Sequence, residues 1–276
     1  MATASTIPTL SRLTQGEEEA LFQDYPKVRY GKNPLELVVA EVRFPPLLRI
    51  ETELPSKFQD ALAGEFPLFQ EVNPINLGPP ELAKLFQSAN IFPTAKTFTF
   101  SSADNEWSLA LNRESLSLTC RKYTRWDDFR KKWARPIDAL LRIYEPQFFV
   151  RLGLRYRDVI SKERLGLQDV LWSELLSPGI VGEIHTPIAP LLVTAWHQVI
   201  FRLQEQNTQV FLQHGLQPVP PVGERCYIFD SDFSTESRTE PQNAHDAFSY
   251  FNKRSWYFFR ACIANKLHDA LQPEPI

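Results

Sequence analysis

Four arginines hold the most concentrated chemistry in the chain. Arg151, Arg155 and Arg157 recur within FFVRLGLRYRDVI, and Arg121 closes the run SLSLTCR. On an extended chain, residues two apart share one side, and each guanidinium presents a planar fork of donors that matches a phosphate or a carboxylate. The row therefore suits a nucleic-acid backbone or an acidic partner protein. An equally physical reading is an ordinary solvated sheet face, balanced by carboxylates such as Glu41, Glu114 and Asp158, or the seam between two halves of the chain. No aromatic residues interleave with the arginines, which weakens the case for a platform that stacks single-stranded nucleic acid.

Asp230 and Asp232 in FDSDF point to one side of an extended run. With His214 and His245 they would make an oxygen and imidazole set for a metal, if the fold joins them. The spacing is common, and capping a helix or bonding a loop explains it equally well. His197 starts an alternating run. His268 and Asp269 fall near a helix end, where an imidazolium interacts favourably with the dipole. There is no GxSxG, no cysteine with an adjacent histidine and no phosphate-cradling glycine loop, so the common nucleophilic and nucleotide-binding enzymes are disfavoured. No small-molecule cofactor is indicated, and no membrane partner.

Alternating segments position these residues. LVVAEVRF at 37–44 reads as a strand stopped by Pro45 and Pro46. A short helix is expected over 55–65, with Phe58, Ala61 and Leu62 on its inner side. KTFTF at 96–100, WSLAL at 107–111 and SLSLTCRKY at 115–123 alternate with period two, and the three residues Asn112, Arg113 and Glu114 predict a tight hairpin between the last two. Thr124 is placed to cap a long amphipathic helix built on Trp126, Phe129, Trp133, Ile137, Leu140 and Tyr144. Pro136 should kink or break that helix near Lys132.

FFVRLGLRYRDVI follows as a half-buried strand. A short helix is expected near 168–176, then strands at 196–203, 209–214 and 226–233. A single helix from Ala244 to Leu271, exceeding about 40 Å, closes the pattern. Three antiparallel strands and a long helix thus occur twice. The fold class is α+β: antiparallel sheets with long amphipathic helices in two similarly built halves, 25–162 and 163–276, packed as one unit after a flexible polar extension at 1–24.

Composition sets the outer limits. A formal charge of −3 argues against a surface built throughout to coat nucleic acid or anionic lipid, although a local basic patch is compatible with it. Twenty Phe, eight Tyr and six Trp against a single Met predict an aromatic, well-specified core. Cys120, Cys226 and Cys262 are odd in number and far apart, which reads as buried reduced thiols rather than disulfides or a metal site. No secretory signal and no membrane-spanning run is visible, so a cytoplasmic location is expected.

The blocks YPKVRYGKNPLELVVAEVRFPP, LPSKFQDALAGEFP, WSLALNRESLSLTCRKYTRWDDFRKKW, YEPQFFVRLGLRYRDVI, FDSDF and NAHDAFSYFNKRSWYFFRACIANKL appear in this order from about residue 25 to 271. Together they resemble a sporadically distributed bacterial protein family of unknown function. The resemblance implies an α+β fold and assigns no catalytic residue. It also implies the patchy occurrence of genes in mobile or defence islands, including accessory genes beside CRISPR systems. The combined expectation is a non-enzymatic, protein-binding accessory or regulatory protein of bacterial antiviral defence or stress response. A nucleic-acid binder using Arg121, Arg151, Arg155 and Arg157 is the first alternative, and a metal-dependent hydrolase at Asp230 and Asp232 the second.

Overall fold

A computed structural model of the protein describes residues 25–72, 96–220 and 223–276. The extension expected at 1–24 lies outside them. The strands are β1 (Val28–Tyr30), β2 (Leu35–Arg43), β3 (Leu68–Val72), β4 (Thr97–Ser101), β5 (Trp107–Asn112), β6 (Ser115–Cys120), β7 (Arg151–Ile160), β8 (His197–Leu203), β9 (Thr208–Val219), β10 (Glu224–Thr235) and β11 (Pro273–Pro275). Nine of them form one antiparallel sheet in the order β3-β4-β5-β6-β2-β7-β10-β9-β8, while β1 and β11 pair as a separate ribbon. The principal helices are α1 (Ser56–Leu62), α2 (Trp126–Tyr144), α3 (Ala244–Cys262) and α4 (Asn265–Ala270). The protein is α+β, as its alternating runs require.

β4-β5-β6 are followed by α2 and β8-β9-β10 by α3, and in the sheet β6 lies beside β2 while β10 lies beside β7. The strands β2 and β7 pair at the centre of the sheet.

Period-two alternation sends one side of the sheet into the core. Val38, Ala40 and Val42 of β2, Leu152, Leu154 and Tyr156 of β7, and Leu116, Leu118 and Cys120 of β6 are buried against Phe129, Trp133, Ile137 and Leu140 of α2 and Phe248 and Phe251 of α3. Trp133 joins the two helices edge-to-face with Phe248, centroids 6.0 Å apart. α1 packs on α2 through Phe58, whose ring lies 6.1 Å from that of Tyr144. A smaller core under α4 gathers Leu175, Leu176, Val181, Ile263 and Leu267. All three cysteines are free and buried.

Local chemistry corrects several expectations. The β5-β6 turn is tightened by the Asn112 carboxamide oxygen, which accepts from the amides of Glu114 and Ser115, both at 2.8 Å. Arg125, not Thr124, occupies the N-cap of α2, and the Thr124 hydroxyl instead donates to Asp128 at 3.1 Å. α2 continues through Pro136 without a break, with the proline ring buried in the core. The long terminal helix does break. Ile263 is extended and bridges Leu176, the Cys262 carbonyl accepts from Ser177 N at 2.9 Å, and Ala264 N donates to Leu175 at 2.9 Å. These bonds take over the backbone groups that would have continued the helix, so α3 ends after 19 residues, about 28 Å.

Trp133 is almost wholly buried, and its indole N–H meets no acceptor among the described residues. Trp133→Ala should lower unfolding free energy by about 3–5 kcal/mol in urea denaturation. Trp133→Phe should cost much less, because it also removes the unpaired donor.

Candidate functional site

The register of the central strands decides what the arginines do. Arg155 of β7 lies opposite Val39 of β2 and Asp232 of β10, and Arg157 lies opposite Leu37 and Asp230, all on the sheet face away from α2 and α3. Asp230 is buried and receives Arg155 through two bonds, from Nε and Nη2, each 2.6 Å. Arg151 donates to Glu41 at 3.0 Å and to Asp232 at 2.5 Å, and Arg43 adds a 2.5 Å bond to Glu41. Arg157 pairs with Glu36 and lies 3.8 Å from Asp230. Burial disfavours the Arg151 charge, but Asp232 and Glu41 outweigh it and raise its pKa.

Four arginines therefore meet four carboxylates in one ladder, and little charge remains to hold a phosphate backbone. Gly153 makes the ladder possible. Arg151 lies flat across it, and a Cβ there would collide with the guanidinium.

The remaining site residues do not converge. Arg121 is exposed beyond the end of β6 and makes no ion pair among the described residues. Of the carboxylates expected to balance the arginines, only Glu41 does so; Glu114 sits in the hairpin turn and binds Arg113. Asp230 and Asp232 do share a face, but arginines occupy them both. His214 points to the opposite face, where Nδ1 lies 2.7 Å from the Tyr227 hydroxyl and burial lowers its pKa to about 4. His245 is exposed at the start of α3. Among the described residues, no group of three His, Cys, Asp or Glu side chains could hold a metal ion. His197 binds Glu183 at 2.6 Å. His268 meets the Tyr30 hydroxyl at 2.8 Å, and burial lowers its pKa, so it is not the imidazolium expected at a helix end.

One titratable group stands apart. Asp158 has the same parity as Tyr156, so it faces the helices and not the arginines; it is 6% exposed and, among the described residues, its carboxyl has no hydrogen-bond donor and no ion-pair partner. Burial, with a smaller contribution from Asp230 behind the sheet, pushes its carboxyl up to about 8. It lines a cavity of about 150 Å³ between the central strands, α3, β1 and the segment that enters α2. Tyr156, Phe229 and Ser231 form the sheet wall, Asn252, Ser255, Trp256 and Phe259 the α3 wall, and Tyr123 and Trp126 the wall leading into α2. β1 also lines it, paired with β11, and beyond β1 the Asn33 side chain donates to the Tyr123 carbonyl at 2.9 Å.

The parity of RYRDVI places Asp158 on the apolar side, and that was the available sequence signal for this site. The aromatic walls come from separate elements and leave no local motif.

Gly153→Ala should displace Arg151 and destabilise the fold by about 1–3 kcal/mol, and its effect should be non-additive with Arg151→Ala in a double-mutant cycle. Asp158 gives a pH signature. Between about pH 4 and pH 8 the folded protein keeps a proton on it that the unfolded chain has released, so its contribution to stability falls as pH rises through that window. Asp158→Asn removes this loss. Its stability relative to the parent should increase from about pH 5 to about pH 8 in matched urea titrations.

No family model and no curated protein matches the chain. Among solved structures, the crystal structure of lombricine kinase is similar at 9% identity and a TM-score of 0.30, covering 84% of this chain and 69% of that one. A likeness at that level says nothing about chemistry. Among the described residues, no helix is long and apolar enough to cross a membrane.

Proposed function

We propose that the chain is a non-enzymatic accessory protein that recruits another protein by pairing one of its extended segments with β8. The observation that carries this reading is an unprotected sheet edge beside an apolar strip. β8 ends the sheet, and its outer backbone groups have no strand partner among the described residues. Ile200 on β8 is 59% exposed, and the segment leading to it exposes Leu191 and Val193 at 79% and 74%, together with Ile188 and Trp196.

Edge strands in solitary proteins are usually blunted by lysine, proline or a bulge. β8 has no lysine or proline, and Arg202 is its one arginine or acidic residue. An added strand would satisfy the edge through main-chain bonds and take its specificity from the adjoining apolar side chains. The neutralised arginine ladder favours a protein over a nucleic acid as the partner. The resemblance to a sporadically distributed bacterial family is the ground on which we propose a partner from an antiviral defence or stress-response system.

Affinity capture from the native host, with the lysate divided into nuclease-treated and untreated portions, should retain the same protein in both. Ile200→Lys combined with Val193→Asp should abolish that retention without shifting the urea midpoint, since both side chains are exposed. Undiminished capture by the double variant, or recovery of nucleic acid alone, would overturn the reading.

A further inference from the structure

The cavity around Asp158 is independent of the β8 edge and has its own chemistry. Buried polar groups in folded proteins are nearly always hydrogen-bonded, and one that is not needs a reason. Among the described residues Asp158 is a carboxyl with no donor and no cation, and it lines a space ringed by other side chains. The space is ringed by π systems: Trp256 and Phe259 from α3, Phe229 from β10, and Tyr123, Trp126 and Tyr156.

An anionic group combined with aromatic walls complements a cation, which gains from the carboxylate charge and from the ring quadrupoles together. A neutral acceptor would gain one hydrogen bond from the protonated acid and make no electrostatic use of the rings. An anion would be repelled once the carboxyl ionised. The volume of about 150 Å³ is that of a cavity able to hold a benzene ring. Of the cations that line the cavity, Arg29 is tied to Glu274 and Arg125 to Asp128, which leaves Lys27 without an ion pair among the described residues and an anionic ligand as the rival to be tested.

We propose that this cavity binds a small organic cation, an ammonium group carried on an apolar body about the size of a benzene ring, with Asp158 as its counter-ion. Before binding, burial keeps Asp158 largely protonated at neutral pH, so a cation must displace that proton into solvent as it binds. The other titratable groups facing the site do not compete for this role. The phenols of Tyr30, Tyr123 and Tyr156 are pushed far up by burial, Asp230 lies behind the sheet in the grip of Arg155, and Arg260 stacks on Tyr25.

Isothermal titration of the full chain with benzylamine, benzyl alcohol and benzoate near pH 7, in two buffers of different protonation enthalpy, separates the possibilities. Benzylammonium should bind about tenfold or more tightly than the other two probes and release up to about one proton per site. Asp158→Asn should weaken the amine by about tenfold and leave the alcohol within about twofold. The parent-protein comparison of charged and neutral probes does not depend on how the variant folds. Equal or tighter binding of the alcohol or of benzoate, amine binding without proton release, amine affinity unchanged by Asp158→Asn, or no binding by any probe would each overturn the proposal.

Discussion

The bidentate pair between Arg155 and Asp230 fixes the centre of this molecule. Both groups are largely buried on the sheet face opposite the helices, so each charge tolerates its desolvation only through the other. The pair also locks register. Because strand side chains alternate, a slip of one residue between β7 and β10 would turn Arg151, Arg155 and Arg157 toward the helices and carry Leu152, Leu154 and Tyr156 into the charged row. Everything built on β7 follows from that register, including the presentation of Asp158 to the cavity beside α3.

The sheet is arranged about its two central strands, β2 beside the meander β3-β4-β5-β6 and β7 beside the meander β8-β9-β10, and β2 pairs with β7 between them. Both long helices cover the core, where Trp133 of α2 and Phe248 of α3 meet edge-to-face, and aromatic side chains also wall the cavity. Rigid rings leave space that flexible chains would have occupied, and a chain with a single methionine has little adaptable filler to close it.

Much of the fold was legible in the sequence because it rests on local periodicity. The strands through Val38, Leu109, Leu118 and Leu154 and the helix through Trp133 follow from alternation and 3.6-residue spacing. The features that were not legible depend on partners remote in sequence. The helix break at Ile263 is imposed by Leu176, and the neutralisation of Arg151 and Arg155 requires the register of β2 and β10. His214 was grouped with Asp230 as a candidate ligand although the two sit on opposite faces, because one-strand parity does not transfer across a hairpin whose register is unknown. Asp158 was read as a surface counter-charge because carboxylates are by habit assigned to water. Its parity with Tyr156 pointed inward.

The ribbon of β1 and β11 acquires significance from where it lies. It spans three residue pairs, and two of the three residues of β11 are Pro273 and Pro275, which have no N–H to donate. Its ion pair, Arg29 with Glu274, is solvent-exposed and open to screening by salt. What anchors β1 is instead its buried Tyr30, whose ring packs on Trp256 and Phe259 and whose hydroxyl meets His268 at 2.8 Å, so the aromatic cluster that walls the cavity is also what fastens the strand beside it.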